Sequence, residues 1–268
     1  MLFRSAGSEA TSDRIMARRP IPKPVEAPKE PKAKRDWYFP VRMIVWFVRP
    51  FIKFLLILLL ISTALVSVFK WVNPPITYLM FSEYNRLDVI QYNWRDLEDM
   101  SSYVPLAIAA AEDANFCAHN GFDFDAIETA LEEGSGRGAS TISQQVAKNV
   151  FLWPSRSWFR KGLETGVTIL IESLWSKRRI MEVYLNVAEF DEGIFGIDAA
   201  VEKHFGYKPE NLRLADAARL AVVLPSPRSR AAGNLSGTLR RHASRIAIGA
   251  TTLRDEGRAD CFLPKASP

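Results

Sequence analysis

The stretch that decides the fold is Gly138-Ala139-Ser140-Thr141-Ile142-Ser143-Gln144-Gln145-Val146-Ala147-Lys148-Asn149. Thr141 is followed three positions later by Gln144, which fits a capping box and predicts that a helix begins here. Apolar residues then recur every four positions from Ile142 onward, as they do on the buried side of a helix. This segment therefore predicts an amphipathic helix entered from a glycine-rich loop at 134–140.

The polar residues of this helix point to a binding role. Gln145, Lys148 and Asn149 lie off the apolar stripe, so we expect them to face a cleft. With Ser140 and Thr141 they place hydroxyl and amide groups at a helix N-terminus, which suits an anionic or sugar ligand. The same pattern also fits an ordinary amphipathic helix with a solvated face, and this segment alone does not separate the two readings.

A long apolar run precedes this region. Residues 54–69 contain no charge, and residues 44–72 contain only three charged residues, all basic. The pattern predicts one transmembrane helix, since basic side chains near its ends can reach the interface. A buried core helix would have to bury Lys53 and Lys70. A cleaved signal peptide is disfavoured because the run begins far from the N-terminus and no A-x-A site follows it.

Charge divides the chain into three parts. Residues 1–43 carry a net charge of +5, whereas residues 73–268 carry −3. The folded domain is thus not expected to bind nucleic acid. By the positive-inside rule we expect the single span to place the N-terminus in the cytoplasm and the C-terminal domain across the membrane. The domains are predicted as a disordered basic tail (1–43), an anchor (44–72) and a folded domain (73–268).

Cysteine and histidine usage indicates no metal centre. Cys117 and Cys261 are far apart in sequence, which leaves their pairing open. No closely spaced set of cysteines and histidines suggests zinc, so we predict no protein-bound metal ion.

The domain is predicted to be mainly α. Helical spacing is found at residues 104–115, 141–152, 158–175, 177–187 and 214–224. No sustained alternation of apolar and polar residues flanks these segments, so an extensive sheet is not expected.

Two clusters of charged residues suggest chemistry. Glu112 and Asp113 end an alanine-rich helix, where desolvation raises the pKa of a carboxyl group as general acid/base catalysis requires; a solvated helix end is the alternative. Arg160 and Lys161 are spaced to share one helical face with Glu164. That arrangement fits either a surface ion pair or a phosphate site.

Five motifs occur in order and carry a resemblance to a known family. They are EDxxFxxHxGxD (112–123), GxSTISQQxxKN (138–149), RKxxE (160–164), KxxIxExYLN (177–186) and RLAVVLPSP (219–227). Together they resemble the peptidoglycan glycosyltransferases of family 51. Residues 186–206 further resemble the monofunctional biosynthetic transglycosylases.

The resemblance implies a lysozyme-like α fold and polymerisation of lipid II into β-1,4-linked glycan with inversion and release of undecaprenyl pyrophosphate. It makes Glu112 the general base and Glu164 the second catalytic glutamate. The other predicted site residues bind substrate or support the site, and those of residues 177–187 are predicted from a possible polar network on that helix. Substrate-binding residues are Ser140, Thr141, Gln145, Lys148, Asn149, Arg160 and Lys161; supporting residues are Asp113, Phe116, His119, Glu182, Tyr184 and Asn186. No tightly bound cofactor is implied, although a divalent cation (Mg or Mn) is expected to accompany the pyrophosphate.

Three other functions fit the sequence less well. The S-x-N and K-T-G motifs of a transpeptidase are missing, so we expect polymerisation without cross-linking. A lytic transglycosylase or muramidase on the same fold would need neither Arg160 and Lys161 nor a membrane-embedded donor. A non-catalytic cell-wall scaffold would not need both glutamates. The partners implied are lipid II, the growing glycan, the membrane, and proteins of cell division or elongation.

Overall fold

A computed structural model describes residues 38–134, 138–155 and 157–263, with side chains from residue 43 onward. The predicted disordered tail up to residue 37 and residues 135–137 of the glycine-rich loop lie outside this part of the chain. The described residues divide into two units at the boundary between Phe51 and Ile52.

The described residues are mainly helical, as predicted. Their α-helices are α1 (Tyr38–Phe69), α2 (Tyr78–Leu87), α3 (Tyr103–Glu112), α4 (Phe124–Glu133), α5 (Ile142–Phe151), α6 (Trp158–Leu174), α7 (Lys177–Val187), α8 (Ile197–Phe205), α9 (Leu214–Ala221) and α10 (Gly237–Asp255). The helix predicted at 177–187 has the bounds of α7. The predicted helix at 104–115 ends three residues earlier, because Asp113 leaves the helix with φ −162°.

A small sheet accompanies the helices. Its strands are β1 (Gln91–Tyr92), β2 (Glu189–Asp191) and β3 (Ile194–Phe195). The central strand β3 runs parallel to β1 and antiparallel to β2. Strands of two or three residues are too short to show alternation in sequence.

One apolar core joins two groups of helices. The helix α3 packs against α9 and α10, and α5 packs against α6 and α7. Residues 104–109 of the alanine-rich helix α3 are all buried. This packing leaves the C-terminal end of α3 beside the N-terminal end of α5, where the two longest motifs meet.

Within α1, residues Met43–Phe69 form a helix that is long and apolar enough to cross a membrane. This is compatible with a single membrane anchor. Near the end of the helix, the indole Nε1 of Trp175 donates a hydrogen bond to the carbonyl of Val66 at 2.8 Å. The C-terminal end of the helix is therefore bound to the folded domain.

The two cysteines, whose pairing the sequence left open, form a disulfide. Cys117 and Cys261 lie 5.7 Å apart between their Cα atoms and are separated by 144 positions. The bond joins the segment after α3 to the segment after α10.

Candidate active site

Glu112 is the last residue of α3, and its carboxylate faces α5, which carries most of the second motif. The amide Nε2 of Gln145 donates to Glu112 Oε2 at 2.8 Å. Among the described residues, no hydrogen bond involves the other oxygen, Oε1. Burial raises the pKa of Glu112, while the Gln145 hydrogen bond and the charge of Lys148 lower it. A raised pKa and a carboxylate oxygen without a hydrogen bond among the described residues suit a general base.

Tyr184 fixes the orientation of the Gln145 amide. The fully buried hydroxyl of Tyr184 donates to Gln145 Oε1 at 3.2 Å. Because that oxygen accepts from Tyr184, the NH₂ group is the end turned toward Glu112. A residue of α7 thereby sets the donor that contacts the carboxylate.

Asp113 joins the first two motifs. Its Oδ2 accepts a hydrogen bond from the backbone N–H of Ile142, the first residue of α5, at 3.0 Å. Its Oδ1 lies 2.9 Å from His119 Nε2. Since His119 Nδ1 accepts from the N–H of Gly121 at 3.2 Å, Nε2 is the ring nitrogen that carries the proton and donates to Asp113. This buried carboxylate holds the residue after Glu112 against the start of α5.

Gly121 and Thr141 provide a second link between the same segments. The capping box predicted for Thr141 and Gln144 is present. The Thr141 hydroxyl also donates to the carbonyl of Gly121 at 2.7 Å. Gly121 has φ +93°, and a Cβ atom there would lie 2.8 Å from Cγ2 of Thr168 on α6. Only glycine fits this approach of the loop to α6.

The second candidate glutamate is buried between two cations. Glu164 is 3% exposed; its Oε2 lies 2.6 Å from Nη1 of Arg160, and its Oε1 lies 2.5 Å from Nζ of Lys161. Arg160 is largely buried, whereas 39% of the Lys161 side chain is exposed. The spacing thus produces a partly buried pair of cations rather than a fully solvated surface pair.

Lys148 connects the two glutamates. Burial lowers the pKa of its ammonium group, and the charges of Glu164 and Glu112 both raise it. The charges of Arg160 and Lys161 lower it further. Lys148 therefore interacts electrostatically with both halves of the candidate site.

A cavity of about 220 Å³ lies beside Glu112. Its walls are the end of α3, the residues that follow it, and residues Gly138–Thr141 ahead of α5. Ser140, which is predicted to bind substrate, is exposed and lines this cavity.

The remaining predicted residues have different surroundings. Phe116 is buried, and so is Asn149 on α5. Glu182 accepts a hydrogen bond from Arg179, and Asn186 bonds in both directions to the backbone of Arg95. Of the three residues predicted to support the site from α7, Tyr184 is the one that reaches the Glu112 cleft.

Sequence reasoning missed the role of Lys177. Its ammonium group lies 2.8 Å from Glu172 Oε1 and 4.4 Å from the centre of the Phe116 ring. Glu172 also accepts a hydrogen bond from the Ser143 hydroxyl. Lys177 begins the fourth motif, so the motif marks the residue. The motif does not show its contacts, because Glu172, Phe116 and Ser143 belong to other parts of the chain.

Asp113, His119 and Asp123 each place a potential metal-ligating atom within 4.8 Å of the others. Hydrogen bonds already use these groups. The two oxygens of Asp113 are bonded as described above, and Asp123 accepts from the N–H of Ala126 at 2.9 Å and from Asn115 Nδ2 at 3.0 Å. These hydrogen bonds explain why Asp113, His119 and Asp123 lie close together in the turn after α3.

Comparison with known proteins gives consistent matches. The family model described as Transglycosylase matches residues 81–248. The chain is 48% identical over 191 residues to the biosynthetic peptidoglycan transglycosylase of Jannaschia sp., covering 71% of this chain and 80% of the relative. The protein of that name from Caulobacter vibrioides is 42% identical over 224 residues, covering 80% and 98%. Its Pseudomonas aeruginosa namesake is 46% identical over 209 residues, covering 74% and 90%.

Proposed function

The chain belongs to the transglycosylase family, and from this premise we propose that it is a peptidoglycan glycosyltransferase. It polymerises lipid II into β-1,4-linked glycan strands with inversion at the anomeric carbon, and it releases undecaprenyl pyrophosphate. The observation that carries this proposal is the position of Glu112, which lines the cavity and is held by Gln145 at one carboxylate oxygen.

Glu112 acts as the general base. Its Oε1 takes the proton from the 4-hydroxyl of the acceptor sugar as that oxygen attacks the anomeric carbon of the donor. Gln145 and Lys148 keep the carboxylate ionised against the effect of burial, because both lower its pKa. Such a base contributes about 10²–10⁴-fold to the rate.

The leaving pyrophosphate binds at the cations of α6. Arg160 and Lys161 present donors of two geometries, and Lys148 adds a third positive charge on the side of Glu112. Glu164 holds the side chains of Arg160 and Lys161 in place. It lies where it can assist departure of the pyrophosphate from the donor sugar. Positive charge at this point stabilises the negative charge that develops on the leaving group.

A divalent cation carried by the substrate pyrophosphate would add further neutralisation of charge. We call Arg160, Lys161 and Lys148 the cation cluster. Glu164, the carboxylate that pairs with the first two, already has both oxygens in ion pairs. The residues thus fit a cation that arrives with the substrate better than one held by a protein cage.

The catalytic domain lies in the periplasm, and the N-terminus lies in the cytoplasm, with α1 crossing the inner membrane. The net charge of +5 on residues 1–43 supports this orientation. The disulfide between Cys117 and Cys261 also supports it, since such bonds persist in oxidising compartments. In this place the enzyme works with the proteins of cell division or elongation.

The test is incubation of the full chain in detergent with lipid II, followed by separation of products by length. We expect a ladder of glycan polymers that lysozyme digests. Preformed glycan offered in a parallel reaction should keep its length. Shortening of that glycan, with no polymer formed from lipid II, would identify a lytic enzyme and contradict the proposal.

A further inference from the structure

The segment that follows Glu112 is attached to the C-terminal part of the chain. We call residues 113–123 the acid loop and residues 258–262 the C-terminal clamp. The disulfide between Cys117 and Cys261 joins the two covalently. The family match ends at residue 248, so the clamp lies beyond the matched region.

Polar contacts reinforce the disulfide. The guanidinium Nη2 of Arg258 donates to the carbonyl of Ala114 at 3.1 Å and to Asn115 Oδ1 at 2.8 Å. Ala114 and Asn115 both line the cavity beside Glu112. Arg258 therefore contacts two residues of the cavity wall without contacting the candidate base.

Aromatic packing completes the attachment. Phe262 is buried, and its ring centre lies 5.9 Å from that of Phe116 in the acid loop. The carbonyl of Phe262 accepts a hydrogen bond from Arg178 of α7 at 3.2 Å. The clamp is thus itself fixed to the helix that carries Tyr184, so it has a rigid support from which to hold the loop.

The other side of the acid loop bonds to α5 through Asp113, as described above. The loop is held between α5 and the clamp, and Glu112 lies at its start. A displacement of about 1 Å at a catalytic group can cost about 10²-fold in rate. A support that fixes the loop from the side opposite α5 would therefore affect the reaction without touching the substrate.

We propose that Cys117, Cys261 and Arg258 are positioning residues that hold the acid loop, so that full activity requires oxidation of the two thiols. This inference rests on the proposed function. In the oxidation the two thiols lose two electrons and two protons as the S–S bond forms. A disulfide oxidant, such as a protein or small-molecule disulfide, accepts them and becomes two thiols.

The proposal is tested with the full chain in detergent and lipid II as the substrate. The variants are the double substitution Cys117→Ser with Cys261→Ser, and Arg258→Ala. Arg254→Ala is the matched control, because Arg254 is an exposed arginine near the end of α10 whose ion pair is with its neighbour Asp255. Wild type is assayed oxidised and after reduction, with free thiols titrated and folding checked by circular dichroism.

We expect reduction of wild type, and the double substitution, to lower kcat by about tenfold with KM changed less than about twofold. Arg258→Ala should lower kcat in the same sense, and Arg254→Ala should not. The acid limb of the kcat/KM profile should also move to lower pH in the double variant, because a loosened loop admits water and removes part of the burial that raises the pKa of Glu112.

The inference would be overturned if every folded variant had the kcat and the pH profile of wild type. In that case the contacts would contribute only to thermal stability, and only the unfolding temperature would be reduced. If one substitution prevents folding, the reduced wild type and Arg258→Ala decide the result by the same criteria. Absence of polymer from oxidised wild type would instead overturn the proposed function, and this inference with it.

Discussion

Burial and two neighbouring side chains act in opposite directions on the pKa of Glu112. Burial at the end of α3 raises the pKa of its carboxyl group, and the Gln145 hydrogen bond and the charge of Lys148 lower it. Lys148 is itself buried, so its charge is weakly screened by water. The activity of the base should therefore depend on a residue that does not hydrogen-bond to it.

Replacement of Lys148 by methionine removes that positive charge and raises the pKa of Glu112. Because the base must be deprotonated, activity is lost as the pH falls through this pKa. The acid limb of kcat/KM should move to higher pH by about one unit. Lys203→Met, an exposed lysine of α8, is the control and should leave the limb in place. An unshifted limb in Lys148→Met would show that this charge does not act on the base.

At the scale of elements, the acid loop depends on a glycine. Alanine at position 121 would require φ +93° and would bring its Cβ to 2.8 Å from Thr168 Cγ2. We expect Gly121→Ala to destabilise the fold by about 1–3 kcal/mol. Gly166→Ala on the exposed side of α6, where no atom lies within 4 Å of the added Cβ, should stabilise it by up to about 1 kcal/mol. Denaturant unfolding of both variants measures the change in the free energy of unfolding, which should be negative for Gly121→Ala and positive for Gly166→Ala. Equal changes in the two variants would refute the steric argument.

A second element-scale contact attaches the membrane helix to the domain. Arg179 donates from Nε and Nη2 to the carbonyl of Phe69, at 3.2 and 3.0 Å, and from Nη2 to that of Val72 at 3.0 Å. Its guanidinium also lies 5.3 Å from the centre of the Trp94 ring. Glu182, which pairs with it at 2.5 Å, belongs to this contact.

Arg179→Ala leaves carbonyls at the end of α1 without their donors. We expect the unfolding temperature in detergent to fall by about 3–8 °C, and Arg179→Lys to restore only part of the loss, because lysine lacks the planar fork. Arg240→Ala on the exposed face of α10 serves as the control. If Arg179→Ala melts with wild type, this contact contributes nothing to the attachment.

Local patterns predicted some of these elements and could not predict others. The capping box of Thr141 and the bounds of α7 follow from short-range sequence signals, and the structure confirms both. The link from Tyr184 through Gln145 to Glu112 joins three helices. No local spacing records which helices pack together, so such links are invisible in the sequence.

The end of α3 shows the same limit. Helical periodicity predicts a helix to residue 115, but the helix ends at Glu112. Asp113 leaves it because its carboxylate bonds to His119 across a turn and to Ile142, which lies 29 positions along the chain. The disulfide is a similar case, since 144 positions separate its cysteines. Long-range contacts, rather than propensities, decide both.

At the scale of the whole molecule, charge and covalent structure agree on one arrangement. A tail of net charge +5 precedes a helix suited to span a membrane, and a domain of net charge −3 follows it. The candidate base, the cation cluster and the disulfide all belong to that domain. The charge distribution and the disulfide thus both support the proposal that α1 anchors an extracytoplasmic polymerase of a lipid-linked sugar.

The most direct test of the central claim is the rate of lipid II polymerisation by Glu112→Gln, with Glu128→Gln on the exposed side of α4 as the matched control. Glutamine keeps the shape of the side chain and cannot accept the proton. We predict that Glu112→Gln loses about 10²–10⁴-fold in kcat while still binding lipid II, and that Glu128→Gln polymerises at the wild-type rate. Glycan polymer formed by Glu112→Gln at the wild-type rate would contradict the assignment of the base and the mechanism built on it.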